Sequence, residues 1–258
     1  MKEELLVLAK AYPTISSKYE LLVCVAGITA EGEWRRIYPI PWNIFTQISE
    51  SKFKKKQWIR YKLKDNRSSD GRPESRKIDF KSIEVLHEES YKNIKKMLDE
   101  KLTTLEFLQQ KDNSEISLGA IKPKIQDFVW SDWDYYDKIK EKMAQTSLNG
   151  KKTVKIDFPD KKFQYIFKCN PQCPKKHRIM CEDWELGMLY LKMKWNHGIE
   201  SALKKVRKKF LIELPKLKYL YFVMGTHNQH RNTWLIISVL YPKKRDIAEI
   251  ETISLFDL

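Results

Sequence analysis

The sequence predicts an α+β protein with a strand-rich, barrel-like first lobe and a mixed α/β second lobe. Three observations carry this. Short apolar runs punctuated by turn residues dominate the first half. Helical periodicity is confined to a few longer segments. In the second half Cys169, Cys173, His177 and Cys181 stand four residues apart, the pattern of a Cys/His metal site.

Taken in order, residues 4–10 and 20–29 are apolar and rich in Leu and Val, as buried strands are. Ala30-Glu31-Gly32 supplies a turn, and residues 33–40 return as the second arm of a hairpin. On that arm Trp34, Arg36 and Tyr38 share one face, with Arg35 and Ile37 on the other. Pro39 and Pro41 end it, and a short helix is expected over 42–48. Residues 57–64 and 77–86 read as strands on either side of a polar loop holding Asp70-Gly71 and Arg72-Pro73. Residues 91–110 have helical spacing through Ile94, Met97, Leu98, Leu102, Leu105 and Leu108, interrupted near Thr103. Short extended pieces over 116–121 and 124–130 flank Pro123. A helix over 133–144 follows Asp132 as its N-cap. This profile resembles the small barrels of the oligonucleotide-binding (OB) and PUA types.

Ser147, Asn149 and Gly150 mark the expected boundary, giving lobes at 1–145 and 153–258. The second lobe should open with a hairpin of 153–158 and 163–168 around Pro159-Asp160. After the cysteine cluster come a helix over 183–194, a basic helix over 198–214 stopped by Pro215, and strands over 219–224 and 233–241.

The chain has 258 residues, with 49 Lys and Arg against 34 Asp and Glu and a formal net charge of +15. Its apolar fraction of 42 % excludes a wholly disordered chain, which could not offset its ordering entropy. No long uncharged apolar run occurs, so no membrane span is expected. Lys2, Glu3, Glu4 and Lys10 surround the run of residues 5–9, unlike a signal peptide, and a cytoplasmic location follows as the expectation.

Such a charge surplus creates a field that attracts polyanions. It is clustered at Lys52, Lys54, Lys55, Lys56, Arg60, Lys62, Lys64 and Arg67, between Lys161 and Arg178, and at Lys204, Lys205, Arg207, Lys208 and Lys209. In the last segment Ile199, Leu203, Val206 and Phe210 fall on one helical face, which would leave a basic ridge outward. Aromatic residues beside Arg35 and Arg36 (Trp34, Tyr38, Trp42) and the group Trp130, Trp133, Tyr135 and Tyr136 suit stacking on unpaired bases. The expected partner is therefore DNA or RNA. Phosphates would meet Lys54, Lys55, Lys56, Lys204, Lys205, Arg207, Lys208 and Lys209, and the hairpin with Trp34, Arg35, Arg36 and Tyr38 would meet bases.

Cys169, Cys173, His177 and Cys181 have the donor types of a tetrahedral zinc site, with an iron–sulfur cluster as the lesser alternative. Pro171 and Pro174 put the first two cysteines on a loop, while His177 and Cys181 could share one turn of helix. Nearby Lys168, Lys175, Lys176 and Arg178 would favour thiolate. Cys24 reads as a small core residue. A rival reading is a nuclease-like enzyme using Mg²⁺ or Mn²⁺, with Asp183 and Glu185 or His227 and His230 as catalytic groups. Acids at a helix start are also explained by the macrodipole, and a His-bearing hairpin loop needs no chemistry. The zinc-stabilised nucleic-acid-binding protein is the preferred expectation.

Overall fold

In the computed structural model, the described residues are 1–16, 20–41, 52–112, 114–133, 136–137, 141 and 157–254. The first sheet has seven strands: β1 (Lys2–Lys10), β2 (Thr14–Ser16), β3 (Glu20–Thr29), β4 (Trp34–Pro41), β5 (Gln57–Leu63), β6 (Ser75–Arg76) and β7 (Ile78–Glu88). Its order is β6-β4-β3-β1-β5-β7, with β2 paired to β3. β4 and β6 are parallel and the other pairs antiparallel.

β1 explains its own composition. It lies between β3 and β5, and Leu5, Leu6, Val7, Leu8 and Ala9 are all fully buried. A strand covered on both faces reads as a continuous apolar run. Leu5 and Val7 join Val23, Val25, Ile37, Ile40, Ile59, Tyr61 and Ile78 in one cluster. That cluster is drawn almost wholly from one face of one sheet, so the sheet curls upon itself as a half-barrel. The bulges in β1 and β3 help to bend it. At Gly27 a Cβ would sit 1.9 Å from the Leu6 carbonyl oxygen, so only glycine fits this close crossing.

Leu6, Leu8, Ala26, Ile28 and Trp58 project from the other face into a second cluster. This cluster is shared with α1 (Tyr91–Asp99) and a central three-stranded sheet: β8 (Leu118–Ile121), β12 (Tyr221–Thr226) and β13 (Trp234–Leu240), in the order β13-β12-β8. Every residue of these three strands is buried. Tyr221 and Val223 face the second cluster, and Phe222 and Met224 face the third. On β13 the alternation changes phase at a bulge, with Leu235 and Ile237 on one side and Ile236 and Val239 on the other.

The third cluster fills the space between the central sheet, the sheet β9 (Lys124–Asp132), β10 (Lys161–Lys168) and β11 (His177–Met180), and α3 (Trp184–Arg207). Phe163, Tyr165 and Phe167 alternate inward from β10, and Phe128, Phe210 and Phe222 pack around them. The short α2 (Leu105–Gln110) adds Leu105 and Leu108. α4 (Lys244–Ser254) packs near α1.

Most expected strands occur, with ends moved by a residue or two. The helical stretch over 91–110 divides into α1 and α2, and Ser90 and Thr104 each cap one of them. The helices expected over 183–194 and 198–214 are one element, kinked at Gly198 with φ +78°, which continues into a π-helical turn at Lys208–Glu213. Through that kink Ala202, Val206 and Phe210 dock, while Ile199 remains 43 % exposed. The helix expected over 42–48, the boundary stretch and most of the helix over 133–144 and the strand over 153–158 lie outside the described residues. β8 and β9 precede that boundary and pair with β12 and β10 beyond it.

One buried ion pair ties the first sheet to the rest. Lys55, just before β5, places Nζ 2.8 Å from Asp183 Oδ2, 3.1 Å from Glu185 Oε2 and 3.2 Å from Ser238 Oγ. Burial opposes its charge, yet the two carboxylates hold the ammonium above its ordinary pKa. Asp183 also accepts N–H bonds from Glu185, Leu186 and Val239, as the N-cap of α3. Asp183→Ala should therefore cost about 3 kcal/mol in urea unfolding, because it strands a buried cation and opens a helix end. Lys55→Met/Asp183→Asn together should cost less than Asp183→Ala alone; a double variant that is worse than the single one would refute this coupling.

Candidate metal centre and basic surface

Cys169 and Cys173 lie on the loop between β10 and β11, and His177 opens β11. The fourth member is Glu106, from the first turn of α2. The donor atoms of Glu106, Cys169, Cys173 and His177 all lie within 4.8 Å of one another. Glu106 Oε1 is 2.8 Å from His177 Nε2 and 3.2 Å from Cys173 Sγ, and Oε2 is 3.5 Å from Cys169 Sγ. Cys173 Sγ stands 3.3 Å from His177 Nε2. A tetrahedral ion with bonds of the usual zinc length would space its donors at ~3.3–3.8 Å. The group could thus hold a metal ion with little movement.

Cys181 does not belong to it. The expected helical turn is a strand, in which four residues span roughly 13 Å. Cys181 is 5 % exposed and bridges to Ile236 in the third core cluster. Its thiol pKa is raised by burial, as that of a core cysteine should be. Glu106 carried no sequence signal, because it lies 63 residues before Cys169.

Among these groups Glu106 is held anionic, whereas the Cys169 thiol is held protonated, against the thiolate expected from the nearby lysines. Burial raises the Cys169 thiol to about 12, and the Leu105 N–H donated to its sulfur at 3.1 Å works against this. Burial also pushes Glu106 up, but its own N–H, the Cys173 thiol and His177 bring it down to about 2. Metal binding would displace the thiol protons and replace them with one shared positive charge.

The expected nucleic-acid residues divide sharply. Arg36 is wholly buried between sheets, donating to Ser117 Oγ at 2.6 Å and to Ser117 O at 2.9 Å. Arg35 is 7 % exposed and bound to Glu3 and Glu33. Tyr38 is buried beneath Arg72 and accepts a hydrogen bond from the Asn228 amide at 2.7 Å. Trp34 packs on the second core cluster. The hairpin therefore binds the protein's own interior, and the expected base contacts are corrected. The reason is that this face of β4 meets the central sheet, so its polar groups are satisfied there. Lys55 is likewise buried in its ion pair, and Lys56 donates to Tyr241 O at 2.7 Å beside the Tyr91 ring. Lys54 is exposed.

Lys204, Lys205 and Lys208 are exposed, the last 3.9 Å from Glu213. Arg207 donates to Phe128 O and Asp127, and Lys209 lies over Phe210 and Tyr241. Trp130 and Trp133 pack on the third core cluster, with Arg207 over the Trp130 ring.

A different basic surface surrounds the metal centre. Lys168 and Lys124 are directly paired across β10 and β9, and Arg178 stands opposite Ile166 on β11. Phe167 points inward, so its neighbour Lys168 points outward. Lys175 and Lys176 are exposed on the cysteine loop. Among the described residues these five cations form no ion pair.

The enzyme candidates are placed as follows. Asp183 is consumed by its cap and ion pair, and Glu185 joins the same lysine. His227 and His230 stack with centroids 5.1 Å apart. His227 Nδ1 accepts the N–H groups of Gln229 and His230, which folds the loop, and burial lowers its pKa. These groups form two separate sites, each with a local structural role.

Residues 100–258 match the family described as Domain of unknown function (DUF8757). The chain belongs to this family. Residues 1–103 match a second, Domain of unknown function (DUF8758), so the two matches meet between α1 and α2. No curated protein matches the chain. The DUF8757 part contains the whole Glu106, Cys169, Cys173 and His177 cluster.

The donor set makes a direct prediction. Protein expressed in zinc-supplemented medium and desalted should carry about one metal ion per chain by elemental analysis. Cys173→Ser or Glu106→Ala should lower that content severalfold, whereas Cys181→Ser should retain it. Loss on Cys181→Ser with retention on Glu106→Ala would restore the ligand set expected from spacing.

Proposed function

We propose that the protein is a zinc-stabilised nucleic-acid-binding protein whose contact surface surrounds the cysteine loop. The observation that carries this reading is the Lys124–Lys168 pair. Like charges directly opposite on a sheet repel, and each could have been relieved by one acidic neighbour. Arg178, Lys175 and Lys176 instead extend the same sign around them. A polyphosphate offers the matching charge at repeated spacing, and its binding releases condensed counterions.

Zinc suits a set of two thiols, one imidazole and one carboxylate, and its part in this reading is structural. It would join α2 to a loop that has little apolar core of its own and so hold Lys175 and Lys176 in place. Lys204, Lys205 and Lys208 on α3 and its continuation are the remaining phosphate contacts in this proposal. The curled first sheet supports an OB- or PUA-type reading of the lobe by its shape, with its faces engaged in packing.

Fluorescence anisotropy with a labelled oligonucleotide tests the reading. Affinity should fall roughly 10²-fold or more between about 50 and 200 mM salt for four or five phosphate contacts. Lys124→Glu/Lys168→Glu should weaken binding at least tenfold and flatten the salt slope. A binding constant unmoved by salt and by this pair would reject the proposal.

A further inference from the structure

Beside the metal centre lies a groove of about 740 Å³. It is lined by residues 102–104 leading into α2, residues 169–171 of the cysteine loop, residues 122–125, and Pro215, Leu217, Lys218 and Leu220. Its volume is within the ~300–1,000 Å³ of ligand clefts in general.

The chemistry of this lining is uneven in a useful way. Its apolar surface comes from Leu102, Ile125, Leu217 and Leu220 with three prolines, whereas Lys122, Lys124 and Lys218 supply three cations. Among the described residues no acid lines it, although Lys218 is ion-paired with Glu251 at 2.8 Å, which leaves Lys122 and Lys124 as its cations without an ion pair. Leu102 is 40 % exposed and lines the groove together with the lysines. The lining also continues into the surface already described, because Lys124 belongs to both the groove and the Lys124–Lys168 pair.

We propose that this groove receives an unpaired base of a single-stranded nucleic acid, with the flanking phosphates on Lys122 and Lys124. The inference rests on the nucleic-acid-binding reading above and narrows it to single strands. A duplex keeps its base faces stacked inside, so it could offer only phosphates to the lysines. An unpaired base presents an apolar face that matches Leu102 and Leu217 while its strand follows the cations. A free nucleotide has the same local chemistry but cannot also reach Lys168, Lys175 and Lys176. The occupant is therefore a strand.

The experiment compares a labelled single strand, a duplex of equal length and a nucleoside monophosphate competitor, all with the full-length protein. The single strand should bind about tenfold tighter than the duplex, and the monophosphate should compete only weakly. Leu102→Lys adds a cation while removing apolar surface. It should weaken the single strand severalfold and leave the duplex equal or tighter. Leu217→Ser, which removes apolar surface without changing charge, should reduce the preference in the same direction, with metal content and melting temperature checked for both variants. Equal binding of strand and duplex, unaffected by either variant, overturns the groove assignment but leaves charge-driven binding intact. A monophosphate that competes as well as the strand also overturns it. Absence of salt-sensitive binding to either polymer overturns the broader reading, and the groove assignment with it.

Discussion

The central sheet is apolar on both faces, and the rest of the architecture answers to that constraint. β8, β12 and β13 have no exposed residue, so one side must be covered by the curled first sheet and the other by β9, β10, β11 and α3. Each burial removes apolar surface from water at roughly 25 cal/mol per Å², which makes covering both faces the dominant favourable term. It also fixes what happens to charges caught at the contacts. Lys55 and Arg36 arrive at the central sheet with the first sheet and meet Asp183, Glu185, Ser117 and Ser238 there. An unpaired cation in that position would cost several kcal/mol, so pairing is a condition of the packing.

That sorting leaves the surface chemistry to other segments. Basic runs in the first hundred residues face numerous acids: Arg35 meets Glu3 and Glu33, Arg60 meets Glu4 and Glu84, and Arg72 meets Asp70. Around the cysteine loop, Lys124, Lys168, Lys175, Lys176 and Arg178 have no such partners among the described residues. Local charge density in the sequence was similar in both regions, but cross-strand pairing neutralises one and concentrates the other. A net charge alone could not have distinguished them.

Strands announced themselves where burial was two-sided, as at residues 4–10 and 20–29, because a continuous apolar run survives any choice of neighbours. The N-caps at Thr104 and Asp183 are equally local, and for Asp183 and Glu185 the sequence shows only acids at a helix start. The Arg36 and Tyr38 assignment depended on which sheet face met solvent, and alternation identifies faces without saying what covers them. Cys181 failed for a related reason. The spacing was sound for a helical turn but far too long for a strand, and the decision between them lay in pairing with β10. Glu106 was beyond sequence logic, since one acid in a helix looks like every other until the chain has folded.

Replacing a local fourth ligand with Glu106 changes what a bound metal would accomplish. Four ligands within residues 169–181 would stiffen one loop. With Glu106 the ion instead closes a segment of 63 residues between α2 and the cysteine loop, and loop closure of that length removes more freedom from the unfolded chain. Thr104, the cap of α2, and Cys169, one of the donors, both line the groove, so an ion held there would tie the cluster to part of the groove lining. The neighbouring lysines are compatible with it because the ligand set, with three anionic donors against a divalent ion, is negative when loaded. That charge would stand on the same loop as the exposed Lys175 and Lys176 and would offset part of their mutual repulsion.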